Sequence, residues 1–129
     1  NKLVDFLIKS SFSNENIDLS NANKIIDLSH ISSINEHILH SISFLLSSKK
    51  NINKCYFISG FRMKIKDIVL SIERVTNKKI NCRYGRFKHM KMISYKVFEN
   101  NKPPWQNKII AKNFDLLIKD MVNNYVTKK

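Results

Sequence analysis

A chain of 129 residues is long enough for one domain with a real core, and 43% hydrophobic with 26% charged residues argues against global disorder. Lys and Arg number 23 against 10 Asp and Glu, a formal net charge of +13, which favours anionic partners such as nucleic acid, anionic membrane or phosphorylated small molecules. No apolar run is long enough to span a bilayer and no signal peptide is visible, so a cytoplasmic location is expected. The lysines are scattered and form no block. With only two Gly and two Pro, the charge also fits a drift of the whole composition toward Lys, Asn and Ile.

The chain starts at Asn1 without a Met and enters an apolar pattern at Leu3-Val4, as a fragment does. Leu3, Val4, Leu7 and Ile8 have helical spacing over residues 2–12. Ile17 to Leu19 and Lys24 to Leu28 read as two short strands, joined by the turn-tolerant Ser20-Asn21-Ala22-Asn23. Ser33 and Glu36 have capping-box spacing, followed by an apolar stripe of Ile34, Ile38, Leu39, Ile42, Leu45 and Leu46. That pattern predicts a helix ending near Ser48. Cys55 to Ile58 reads as a buried strand, turned by Ser59-Gly60. Ile65, Ile68, Val69, Ile72 and Val75 predict another amphipathic helix with Asn77 at its C-terminus. Lys79 to Tyr84 reads as a strand, with Ile80, Cys82 and Tyr84 on one face. Arg86 to Lys96 is basic and mixed and receives no assignment. After Pro103-Pro104-Trp105, a last helix is expected from Lys112 to Tyr125. The expected order is α, ββ, α, β, α, β, α, a mixed α/β chain in a single partial domain, 1–129.

The chemistry the residues carry is sparse. Cys55 and Cys82 have no CxxC or Cys/His ligand spacing and read as two buried thiols, not a zinc site. His37 and His40 stand three apart on one helix face, away from the apolar stripe, and are expected to face solvent. Asp27 and His30 have no nucleophile to complete a catalytic set. With only Gly60 and Gly85 present, no GxGxxG or GxxxxGK[ST] phosphate loop exists. No catalytic and no metal-binding residue is assigned.

The order of short motifs nevertheless resembles the C-terminal half of an extended short-chain dehydrogenase/reductase, the family of NAD(P)-dependent sugar-nucleotide epimerases and dehydratases. Ile26-Asp27-Leu28-Ser29-His30-Ile31-Ser32-Ser33-Ile34 stands where that family has a hairpin leading to R-D-F-I-x-V-x-D-[VL] at the start of a helix. Tyr56-Phe57-Ile58-Ser59-Gly60 stands for the strand motif Y-N-[IV]-G-x-G. Thr76-Asn77-Lys78-Lys79 resembles the helix end TGKK, Tyr84-Gly85-Arg86 resembles Y-G-P, and Pro104-Trp105-Gln106-Asn107 resembles G-W-x-P. The departures are specific: Ile26 replaces the Arg that reaches the diphosphate, one glycine of the G-x-G is gone, and the acidic residue after the later Arg is missing.

The resemblance implies the substrate-binding part of a Rossmann-type enzyme whose N-terminal half would carry GxxGxxG and Tyr-x-x-x-Lys. Neither motif occurs in this chain, so NAD or NADP would be bound in the complete enzyme and not here. The implied partners are a nucleotide-sugar, a nucleotide-binding half or separate chain, and a second copy, since family members are often homodimers. Lys24, Arg86 and Lys88 are the candidate cations for the diphosphate. The apolar faces of Cys55–Ile58 and of the helix after Ser33 are expected to be exposed without that half. The alternative reading is a small basic nucleic-acid-binding or interaction module. It rests on the charge and on Tyr84, Phe87 and Tyr95 near Arg83, Arg86 and Lys88.

Overall fold

The computed structural model describes residues 3–48, 51–86, 101–109 and 113–127. Among these are four α-helices: α1 (Leu3–Ser13), α2 (Ile31–Ser47), α3 (Ile65–Thr76) and α4 (Phe114–Val126). Four short strands accompany them: β1 (Ile17–Leu19), β2 (Ile25–Leu28), β3 (Phe61–Lys64) and β4 (Cys82–Tyr84). A 3-10 turn covers Gln106–Lys108. The mixed α/β order expected from the sequence is present. The chain forms two compact units: Asn1–Ile26, Met63–Lys91 and Lys112–Lys129 make unit 1, and Asp27–Arg62 with Met92–Ala111 make unit 2.

Unit 1 follows its hydrophobic pattern. The apolar face of α3 places Ile65, Ile68, Val69 and Ile72 in the interior, packed against α1 and α4. Leu7 and Ile8 come from α1, and Leu117 and Ile118 from α4. Each such side chain contributes about 1.5–3 kcal/mol when fully buried. Ser10 and Ser11 are buried beside them, with hydroxyls donating to the carbonyls of Phe6 and Ile8 one helical turn earlier. α3 stops where Asn77 adopts a left-handed conformation, φ 51°, one that Asn tolerates better than most residues.

The strands do not pair in chain order. β1 runs parallel to β4 in the register Ile17↔Cys82, Asp18↔Arg83, Leu19↔Tyr84, and Arg83 Nε donates to Asp18 Oδ1 at 2.8 Å across that pair. β2 pairs with β3, so β1 and β2 do not form a hairpin. The turn between them has another task. Asn21 Oδ1 accepts from the backbone N–H of Asn23, and the carbonyls of Lys24 and Ala22 accept from Ile65 and Lys66. These are the first two N–H groups of α3, which would otherwise lack partners.

Unit 2 departs from the sequence expectation in three places. First, α2 begins at Ile31, two residues before the expected Ser33 cap. His30 is the cap: its backbone is extended (φ −82°, ψ 143°) and its Nδ1 accepts from the Ser32 N–H. Ser33 therefore lies inside the first turn, its N–H bonded to the His30 carbonyl. Second, Cys55–Ile58 is not a strand; the strand is Phe61–Lys64, past Gly60. The Phe57 N–H donates to the Asn101 carbonyl and the Asn101 amide donates to the Cys55 carbonyl, but the segment itself is not extended into a strand. Third, Cys55 is exposed and Cys82 only half-buried, so neither is a core thiol. The apolar stripe of α2, expected to be exposed, is outside: Ile38, Leu39, Ile42, Leu45 and Leu46 are all exposed, Leu46 by 82%. Among the described residues, the buried apolar side chains of unit 2 are Pro103 and Trp105; every other buried apolar side chain belongs to unit 1.

This asymmetry fixes what substitutions cost. Ile72→Ala empties a fully buried site and is expected to lower stability by about 2–5 kcal/mol. Leu46→Ser, on the exposed stripe, is expected to stay within about 0.5 kcal/mol. Urea unfolding of the two variants checks the contrast; equal losses would show that the α2 stripe is buried in solution.

Candidate functional site

Asp27 opens the polar part of unit 2. Its Oδ2 accepts from Ser59 Oγ at 2.6 Å and from Arg62 Nε at 3.4 Å, and its Oδ1 accepts from the Gly60 N–H at 2.7 Å. Both oxygens are thus engaged by the segment that leads into β3. His30 is used in capping α2 and in a 2.7 Å contact with Ser32 Oγ. Asp27 and His30 are thus both engaged in holding local structure. Gly60 is required at this junction: a Cβ there would lie 2.0 Å from the Leu28 carbonyl oxygen and 2.8 Å from Ser29 Cα. Both contacts are to backbone, which cannot turn aside as a side chain could.

Beyond this junction α2 carries a feature the sequence reading missed. His37, expected in solvent, is 1% exposed, and among the described residues neither of its ring nitrogens has a hydrogen-bond partner. The Nε1–H of Trp105, a residue 9% exposed, is also buried without a partner among them. Both residues line one cavity of about 280 Å³. Its other walls are aromatic (Phe44, Tyr56), aliphatic (Ile38, Leu45, Ile52, Ile58) and polar (Ser41, Lys54). The rings of Phe44 and Tyr56 lie 5.3 and 5.5 Å from that of Trp105, at 51° and 70°, tilted and edge-on arrangements that aromatic pairs favour. A second groove of about 280 Å³ shares Phe44 and Trp105 and adds His40, Pro104 and Lys108.

Buried, unpartnered nitrogens cost free energy, about 1–3 kcal/mol each. Burial pushes the His37 imidazole below its ordinary value of 6.5; His40 adds to the depression and Glu36 opposes it. Sequence could have flagged Trp105, the chain's single Trp, as a residue needing a partner for its N–H. It could not flag His37, because the helical pattern points the apolar stripe, not the histidine, inward.

The sequence-derived candidates lie elsewhere. Lys24 and Arg86 belong to unit 1. Lys24 is half-buried after the Asn21 turn, with its backbone carbonyl committed to α3. Arg86 is exposed, one residue past Gly85, which has φ +82°. Lys88, Phe87 and Tyr95 lie outside the described residues. Near Arg86, burial and the neighbouring Cys82 push the Tyr84 hydroxyl up to about 12, and burial raises the Cys82 thiol. Both shifts favour the neutral hydroxyl and thiol. Among the described residues no group of three His, Cys, Asp or Glu could hold a metal ion, and no helix is long and apolar enough to cross a membrane.

No protein-family model matches the chain, and no curated protein matches it.

Two outcomes follow from this geometry. Gly60→Ala is expected to cost about 2–4 kcal/mol, and Asp27→Ala about the same, because it strips three donors of their acceptor. Thermal unfolding of both checks this; a loss under about 0.5 kcal/mol in either would show that the junction does not hold. His37 predicts a pH dependence. Its folded-state pKa is lowered, so the unfolded chain binds more protons once the pH drops below 6.5. Its contribution to stability is present above 6.5 and lost as the pH falls from there through the folded value. His37→Leu should remove that part of the slope and match or exceed the parent's stability at low pH. Parallel slopes for parent and variant would refute it.

Proposed function

We propose that the chain is the nucleotide-sugar-binding part of an NAD(P)-dependent sugar-nucleotide epimerase or dehydratase of the extended short-chain dehydrogenase/reductase type. The observation that carries the reading is the Asp27 junction. The family-like segment Ile26–Ile34 and the family-like segment Tyr56–Gly60 are far apart in sequence, and one carboxylate ties them together. The left-handed Asn77 after Thr76, Gly85 after Tyr84, and Trp105 ahead of α4 support it further. The exposed stripe of α2 is the face that a nucleotide-binding half would cover. Two observations run against the pattern: β1 and β2 are not a hairpin, and Tyr56–Ile58 is not a strand.

In this reading the redox step belongs to the nucleotide-binding half, which supplies NAD or NADP and the Tyr and Lys that move the substrate's proton. The present chain shapes the pocket, and Lys24, Arg86 and Lys88 meet the diphosphate as cations. It does not catalyse alone.

The test is the DNA immediately upstream of the Asn1 codon, read in all three forward frames. A GxxGxxG strand–loop–helix and a Tyr-x-x-x-Lys are expected there. Finding neither would overturn the reading and leave the basic binding module in its place. The signature of that module is nucleic-acid affinity that falls steeply with added salt.

A further inference from the structure

We propose that the cavity walled by Phe44, Tyr56 and Trp105 binds a nucleobase bearing a phosphate, with the base against the aromatic rings and the phosphate at Lys54. The site lies wholly within unit 2 and does not depend on the family reading.

Size comes first. The cavity holds about 280 Å³, at the small end of ligand pockets, which run from about 300 to 1,000 Å³. That suits a base and part of its sugar. The wall comes second. Two aromatic rings, those of Phe44 and Tyr56, within 5.5 Å of the Trp105 ring offer with it the surface on which bases of any identity stack.

The buried nitrogens narrow the choice. A neutral imidazole brings one donor and one acceptor, and the indole brings one donor. An acyl chain or an apolar side chain in this cavity would leave all three unsatisfied. The edge of a nucleobase carries donors and acceptors side by side and can serve both kinds. Each of these nitrogens is exposed by less than 1 Å² and belongs to a residue that lines the cavity, so the proposal requires the His37 and Trp105 rings to turn toward the ligand on binding.

Charge supplies the last element. Lys54 is exposed on the cavity wall, and His40 and Lys108 line the groove on the other side of the Phe44–Trp105 pair. A phosphate finds a cation on either side of the stacked rings, in a chain whose net charge is +13. Keeping His37 buried without a partner costs the free protein stability, the pattern of a residue kept for binding at the expense of the fold.

Trp105 is the only Trp in the chain, so its fluorescence reports on this cavity directly. The full chain is titrated with UMP, AMP, ribose 5-phosphate and pentauridylate. Saturable quenching by the two nucleotides, and none by ribose 5-phosphate, is expected. Ser41→Leu, which fills the cavity from α2, should weaken nucleotide binding by about tenfold or more. His37→Leu should weaken it while leaving Tm unchanged or raised, a combination that a purely structural histidine would not give. Pentauridylate binding more tightly than UMP would assign the ligand as single-stranded RNA, and equal binding would assign it as free nucleotide. No saturable quenching by either nucleotide, equal quenching by ribose 5-phosphate, or parental affinity in both variants would overturn the proposal.

Discussion

Unit 2 depends on one carboxylate. Unit 1 is held by a packed interior to which α1, β1, α3 and α4 all contribute. Among the described residues, unit 2 buries few apolar side chains, and at its polar end Asp27 accepts from Ser59, Gly60 and Arg62. Charge-assisted bonds of this kind are stronger and shorter than neutral ones. Here they do what apolar burial does elsewhere: they join β2 to the segment before β3 at a point where a Cβ on Gly60 would collide with the Leu28 carbonyl. The direction in which α2 leaves β2 follows from that junction and from the His30 cap.

α2 inverts the usual logic of an amphipathic helix. Six of its Leu and Ile side chains are exposed, and a histidine is buried. A helix ordinarily turns its apolar stripe to whatever surface is available to bury it. Within unit 2 the available surface is the aromatic cluster around Trp105, which meets the helix on the side of His37 and Phe44. The stripe remains exposed, with Ile38 and Leu45 at the cavity wall. The same arrangement produces the cavity. Three buried nitrogens beside aromatic rings come from the meeting of α2 with the Trp105 turn, and neither segment contains the site alone.

The two functional readings draw on different units. The cations assigned to the diphosphate, Lys24 and Arg86, are in unit 1, whereas the nucleobase cavity is in unit 2. Either reading can stand without the other. A nucleotide bound at Trp105 would be compatible with a sugar-nucleotide enzyme and equally with a protein of another class. The turn before Lys24 has already spent its backbone carbonyls on the first N–H groups of α3. Anion binding at that helix terminus through free backbone N–H groups is thus ruled out for Ile65 and Lys66, and a phosphate there would rely on the Lys24 side chain.

Much of unit 1 was determined by sequence alone. The spacing of Ile65, Ile68, Val69 and Ile72 dictates α3 and its buried face, Asn77 its end, and the alternation at Ile17 and Leu19 a strand half-sunk in the core. These are local rules: a periodic apolar pattern needs only some core to satisfy it, and here one exists. Tertiary structure alone decided the rest. Pattern could not show that β1 would pair with β4 rather than β2, because strand partners depend on where distant segments arrive. Nor could it show that His30 rather than Ser33 would cap α2, since both residues offer an acceptor and the chain's path out of β2 selects between them. The burial of His37 was hidden for the same reason. Periodicity identifies which face of a helix is apolar, but the partner that meets the helix decides which face is buried, and in unit 2 that partner is an aromatic turn more than sixty residues further along the chain.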